Sequence, residues 1–242
     1  MARALIVGGT STIARAIAGE LAARGWDLAL AGRDAAELEV VAADFRVRHG
    51  IDVTTYLVDV LDPGAPAALA PSLTADVRGV VLAVGYLGDH ARAQADPVEA
   101  RRILDSNLTG CVVCLDLAAA HLARTGGGFV CALSSVAGDR GRPSNYVYGA
   151  AKAGLNAYLS GLRARLASSG VSVVTVKAGP VDTRMSVGMP GAGLAISPRT
   201  AARAIVRAIE RKRDVVYVPW FWRWIMLVIR MIPERLFKRL TL

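Results

Sequence analysis

Tyr148 and Lys152 stand four residues apart, a spacing that places both on one face of a helix. A free phenol titrates near pH ~10 and is a poor base at neutrality. An ammonium one helical turn away favours the phenolate and makes Tyr148 a usable general acid or base. Ser135 lies thirteen residues before Tyr148, just after the apolar run 128–133, and its hydroxyl can hold a carbonyl oxygen beside the phenol. Tyr146 competes for the acid role but stands six before Lys152, off its helical face. A lone YxxxK usually means a surface tyrosine and a solvated lysine. The added serine and the small residues after the tyrosine favour an active site.

These side chains need a scaffold, and the chain supplies an alternating one. Residues 3–8 read as a short buried strand. Gly8, Gly9, Thr10, Ser11 and Thr12 then turn into a helical pattern over 13–24, closed by Gly25. A tight turn of this kind aims backbone N–H groups and a helix N-terminus at a phosphate, which makes Gly8, Thr10, Ser11, Thr12 and Ile13 candidate cofactor contacts. Further strands are expected at 28–31, 53–58, 77–84, 128–133, 171–177 and 215–218. Helices are expected at 35–49, 97–105, 108–124, 145–168 and 198–211, with a Pro/Ala-rich one before the fourth strand. The alternation calls for α/β architecture: one domain, 1–218, built on a doubly wound, mainly parallel sheet of about seven strands. An amphipathic helical tail, 219–242, follows it.

Composition narrows the class. The chain has 242 residues, 53% hydrophobic and 20% charged, which suits a globular domain with a full core. No cleavable signal pattern and no uninterrupted apolar run of membrane-spanning length is visible. Three cysteines point to a reducing compartment, and the Cys111/Cys114 CxxC sits in an apolar helical pattern that reads as buried packing. No metal-ligand set is expected. Of the net charge of +9, a surplus of eight falls within 199–242, where eleven Lys/Arg meet three Asp/Glu. A basic end of this kind suggests an anionic partner.

The chain resembles the short-chain dehydrogenase/reductase family over about 3–218. The resemblance rests on Gly8 to Ala14, Asp59, Ala83–Val84–Gly85, Asn107, Ser135, Tyr148, Lys152 and the turn from Gly179 to Thr183. It implies a Rossmann-type sheet and NAD(P)-dependent carbonyl chemistry. Tyr148 would protonate the substrate oxygen, while Lys152 lowers the tyrosine pKa and holds the nicotinamide ribose. Ser135 would position the carbonyl and Asn107 support a water relay. The implied cofactor contacts extend to Asp59, on the adenine, and to Val60, Ala83, Val84, Gly85, Val181 and Thr183. Three positions depart from the family pattern. Thr12 replaces a glycine of the phosphate loop, Leu82–Ala83–Val84–Gly85 lacks the usual polar pair, and Ala178 stands where proline is common.

Cofactor choice is argued locally. NAD enzymes place an acid after the second strand, but here the strand ends Ala31–Gly32–Arg33 with no acid until Asp34. Arg33 can meet a 2′-phosphate while Asp34 folds into the next helix N-cap. NADPH is the expected cofactor, with NAD the alternative.

The tail, PWFWRWIMLVIRMIPERLFKRLTL, is too short and too charged to span a bilayer. Tryptophans and arginines on an apolar helix suit the headgroup boundary. The competing reading is packing on its own domain or on a second subunit, since the resemblance implies a homo-oligomer, dimer or tetramer. Aromatics clustered with aliphatics argue against nucleic acid. With VDTRMS and LAVGYLGD, the tail resembles the reductases of decaprenylphosphoryl-2-keto-pentose, and so implies a polyprenyl-phosphate-linked keto sugar at the cytoplasmic face of the membrane. The alternatives are a 3-ketoacyl or other hydrophobic carbonyl substrate, or a non-catalytic nucleotide-binding subunit. The loop 183–195, with Met185, Val187, Met189 and Leu194, is expected to close over the substrate.

Overall fold

The protein is described by a computed structural model covering residues 1–183 and 192–240. Seven strands form one parallel sheet: β1 (Arg3–Val7), β2 (Asp27–Gly32), β3 (Val53–Leu57), β4 (Val77–Leu82), β5 (Gly128–Ser135), β6 (Val171–Ala178) and β7 (Val215–Val218). Their order is β3-β2-β1-β4-β5-β6-β7, so the direction of winding reverses between β1 and β4. Ile6 pairs with Leu30 on one side and Val81 on the other. The inner strands read as unbroken apolar runs because helices cover both sheet faces.

Under one face lie α1 (Thr12–Ala22), α2 (Ala35–His49) and α8 (Pro198–Glu210), whose Ile17, Leu38, Phe45 and Ile205 fill the first core. Over the other lie α3 (Ala65–Leu69), α6 (Gly110–Arg124) and α7 (Tyr146–Leu166), with Leu69, Cys114, Leu115, Leu155 and Leu159 in the second. Cys111 and Cys114 are buried there, and burial pushes both thiols up, Cys114 to about 11. The CxxC is packing.

Two features differ from the sequence reading. A short α4 (His90–Ala95), capped by Asp89, precedes α5 (Pro97–Leu104). The two helical patterns expected at 97–105 and 108–124 are joined by one π-turn, Asp105–Thr109, into a continuous helix. That 28-residue stretch, Pro97–Arg124, is long and apolar enough to cross a membrane by length and mean hydropathy alone, although Arg101, Arg102, Asp105 and Asp116 interrupt its apolar run. It packs on the sheet through Cys111, Leu115, Ala118 and Leu122.

After β7 the chain turns back over the sheet's C-terminal edge as α9 (Trp222–Met231) and α10 (Glu234–Phe237). Trp222 and Met226 pack on Val136. The Arg140 guanidinium donates to the carbonyls of Ile229 and Ile232, each at 2.6 Å, pairs with Glu234 at 2.9 Å and lies 3.7 Å from the Phe237 ring centroid. The inner face of 219–240 therefore belongs to the same packed body. Its outer face leaves Trp220, Trp224, Leu227, Val228 and Met231 exposed. Of the loop expected to close over substrate, Met185, Val187 and Met189 lie outside the described residues.

Candidate active site

Four strand ends supply the site. β1 ends at Gly8, whose φ of +84° is left-handed and whose absent Cβ would stand 2.9 Å from the Ala83 carbonyl oxygen. Only glycine lets the turn pass so close to the end of β4. The N–H groups of Gly8 and Gly9 both donate to the Ala31 carbonyl, at 2.8 and 3.0 Å, and tie the turn to β2. Ser11 caps α1 by accepting from the Ala14 N–H at 3.3 Å. The N–H groups of Thr10, Thr12 and Ile13 have no acceptor among the described residues, and all three residues line a cavity of about 460 Å³. Unspent donors at the N-terminus of an 11-residue helix are what a diphosphate requires. Thr12, despite its Cβ, leaves its backbone donor free.

Ala83, Val84 and Gly85, after β4, form another wall of the cavity. The segment behind them is held by Asn107 on the π-turn. Its amide donates to the Tyr86 carbonyl at 2.6 Å and the Ile103 carbonyl at 2.8 Å, and its Oδ1 accepts from the Tyr86 N–H at 3.1 Å. Asn107 is fully buried and does not line the cavity. Its side chain shapes the loop after β4 rather than facing substrate.

β5 runs straight into Ser135, two residues past the expected strand end, and Tyr148 and Lys152 come from the first two turns of α7. The Tyr148 phenol shares the cavity wall with Ser135, whose hydroxyl favours the phenolate. The Ser135 Oγ also accepts from the Ala137 N–H at 3.1 Å and donates to the Ala178 carbonyl at 3.4 Å, so its position is set from β6 as well. Lys152 is only 2% exposed, and its ammonium donates to the carbonyls of Leu133, at 3.2 Å, and Val84, at 3.5 Å. It lies 5.8 Å from the Tyr148 ring centroid and has no carboxylate beside it among the described residues.

This geometry corrects the expected electrostatics. Burial dominates, pushing the phenol up to about 12, with the Ser135 hydrogen bond pulling the other way; burial likewise depresses the Lys152 ammonium. In this state Tyr148 is a stored proton, not a phenolate.

Val181 and Thr183, after β6, complete the far wall. The remaining expected contacts fall outside the cavity lining. Arg33 is exposed at the end of β2, and Asp34 turns away to cap α2, accepting from the Glu37 N–H at 2.9 Å. The Asp59 carboxylate accepts from the Leu61 N–H at 3.0 Å, and Val60 abuts Gly110. Sequence reasoning missed Arg15, Glu37, Arg142, Asn145 and Trp222, which do line it. Arg15 was findable as the residue one turn into the phosphate-loop helix. Trp222 was not, because only the return of the chain after β7 brings it here.

A family model described as short chain dehydrogenase matches residues 2–190. An uncharacterized oxidoreductase of Mycobacterium tuberculosis is 38% identical over 98% of this chain and 96% of its own. Another from Streptomyces coelicolor is 39% identical over 98% and 95%. Among solved structures, a short-chain dehydrogenase from Sphingobium yanoikuyae in complex with NADPH superposes with a TM-score of 0.85 over 97% of each chain, at 24% identity. With a matching family model over most of its length and relatives of this identity along nearly all of it, the chain belongs to the short-chain dehydrogenase family and is an oxidoreductase of that type.

Proposed function

We propose that the protein is an NADPH-dependent reductase of a ketone carbonyl, with Tyr148 as the acid. The observation that carries this reading is the meeting of Tyr148, Ser135 and Lys152 at the wall of a cavity that also presents the free N–H groups of Thr10, Thr12 and Ile13. NADPH bound in such a cleft supplies the hydride. The Ser135 hydroxyl holds the carbonyl oxygen, and the Tyr148 O–H delivers the proton as charge builds on that oxygen. Lys152 contributes a positive charge whose partners among the described residues are carbonyls, so no counter-ion there diminishes its field at the developing alkoxide. Asn107 acts by holding the Tyr86 backbone. Asp59 and Val60 are proposed adenine-side contacts.

NADPH rather than NADH is supported by the Asp34 cap, which removes the acid that would meet a ribose diol, and by Arg33 and Arg15 on that side of the molecule. Glu37 on the rim opposes it. Binding of NADPH and NADH to Arg33→Ala and Arg15→Ala decides the matter: the proposal requires a selective loss for NADPH in at least one of them.

A polyprenyl-phosphate-linked keto sugar, reduced at the cytoplasmic face of the membrane, is the narrower substrate reading. It is supported by the outer face of 219–240, where Trp220, Trp224 and Leu227 line a broad groove with Arg211, Arg213, Arg223 and Arg230. Such a rim suits an anionic lipid surface. NADPH oxidation with a short-chain prenyl-phosphoryl 2-keto-pentose, set against a 3-ketoacyl thioester, tests it. Turnover of the thioester alone leaves a fatty-acyl reductase, and failure of Tyr148→Phe to abolish turnover returns the protein to a non-catalytic subunit. Assembly as a dimer or tetramer is part of the same proposal, tested by light scattering.

A further inference from the structure

Three buried polar atoms beside Tyr148 have no hydrogen-bond partner among the described residues: Nε of Arg142, Oδ1 of Asn145 and Nε1 of Trp222. All three residues line the same cavity as Ser135 and Tyr148. An orphaned buried polar group costs roughly 1–3 kcal/mol, more when charged, so three in one place is an expensive arrangement unless a ligand completes it.

Asn145 occupies the N-cap position of α7, where asparagine normally accepts from the helix's free N–H groups, yet its side chain makes no capping bond. It is 9% exposed. Trp222 is 7% exposed, and its indole nitrogen sits so close to Gly179 that a Cβ there would come within 2.3 Å of it. Arg142 has no carboxylate partner among the described residues, and burial alone lowers its affinity for a proton. Arg140, two residues earlier, is committed to α9 and α10.

We infer that Arg142, Asn145 and Trp222 form a substrate-recognition subsite for an anionic oxygen group, phosphate or carboxylate, next to a hydroxyl on the carbonyl compound. The guanidinium and the indole N–H are donors suited to anionic oxygens, and a bidentate arginine contact is the strong form of that bond. The Asn145 Oδ1 is an acceptor and takes the hydroxyl proton. An apolar ketone would leave all three unpaired, and a site built on hydrogen bonds discriminates by 10⁴–10⁵ against analogues lacking them in the strongest known cases. This inference rests on the carbonyl-reductase reading for its kinetics but not for its binding.

The experiment uses the full chain and two readouts. In the first, thermal shift with saturating NADP⁺ measures stabilisation by glyceric acid 3-phosphate, which carries both anionic groups and a hydroxyl but no reducible carbonyl. The expected result is a saturable rise in Tm for the wild type, lost in Arg142→Gln, partly kept in Arg142→Lys and weakened in Trp222→Phe. The lysine and phenylalanine variants retain charge and packing, so they guard against a fold defect. A rise that persists unchanged in Arg142→Gln comes from the phosphate loop and overturns the inference, as does no rise at all. In the second, kcat/KM is compared for dihydroxyacetone phosphate and for dihydroxyacetone. A preference of tenfold or more for the phosphate, collapsing in Arg142→Gln, is expected. Equal turnover of both overturns the subsite while leaving the reductase standing. A wild type that binds the anion yet reduces no ketone under any condition keeps the subsite and overturns the reductase reading.

Discussion

The molecule contains two tyrosine–lysine pairs, and they are built to opposite ends. Lys177 lies 5.3 Å from the Tyr217 ring centroid, much as Lys152 lies 5.8 Å from that of Tyr148. Between Lys177 and Tyr217 stands Asp139, which is ion-paired to the lysine and accepts from the phenol at 2.7 Å. That trio binds the turn after β5 to β6 and β7, and every member is satisfied. Among the described residues no carboxylate stands beside the pair at the cavity. Lys152 is held by two backbone carbonyls, and Tyr148 shares the cavity wall with Ser135. The same residue types make a structural clamp where a counter-ion is provided and an acid with a nearby unneutralised charge where it is withheld. On the proposed function, the lack of a carboxylate among the described residues is what fits the second pair for proton transfer.

The largest expected effect that would break this contrast is on catalysis. Tyr148→Phe should lower kcat/KM for carbonyl reduction by about 10²–10⁴-fold while leaving the thermal midpoint close to wild type. Activity retained within tenfold would remove the distinction between the pairs. Next in size is stability. Asp139→Ala strands the Lys177 charge in a partly buried site and should cost about 3–5 kcal/mol in urea unfolding. Lys152→Met removes a buried cation that has no counter-ion, so the fold should lose little or gain, even as turnover disappears. Equal losses from both would show that Lys152 is as structural as Lys177.

The pH profile sharpens the contrast further. With the phenol pushed up to about 12, Tyr148 keeps its proton throughout the neutral range. Reduction, which needs the protonated acid, should then be level from about pH 6 to 9. Alcohol oxidation needs the phenolate, whose fraction grows about tenfold per pH unit below the folded pKa, so its kcat/KM should climb with a slope near one. An oxidation profile that flattens near pH 7 would mean the Lys152 charge overrides burial in the loaded enzyme. The smallest expected effect is Tyr217→Phe, which removes one hydrogen bond to Asp139 and should cost about 1–2 kcal/mol with kcat unchanged.

How much of this was legible beforehand follows from the range of each signal. Tyr148 and Lys152 are one turn apart, so their meeting is a local fact, as are the glycine turn and the Asp34 cap. The strand sequence was readable because both faces of the sheet are covered and the strands are uniformly apolar. The role of Asn107 was not, since a π-turn inside a helix leaves no periodic mark strong enough to tell where its amide points. Arg142, Asn145 and Trp222 were missed for another reason. Two lie in a loop without pattern, and the third is nearly eighty residues further on, brought in only by the fold-back after β7. The outer tryptophans of the same segment drew attention to a surface, while the one facing inward was the one at the site.

The closeness of Trp222 to Gly179 has a consequence for the order in which the enzyme comes into being. All seven strands, the phosphate loop and Tyr148, the proposed acid, precede residue 219, so a chain stopped there carries the sequence of the whole sheet and of most of the cleft. It would still have an open side to its cleft, because the indole that closes it has yet to be synthesised. The pocket is therefore finished by residues that follow the sheet, and a message cut short at 218 would yield a cleft without its Trp222 wall.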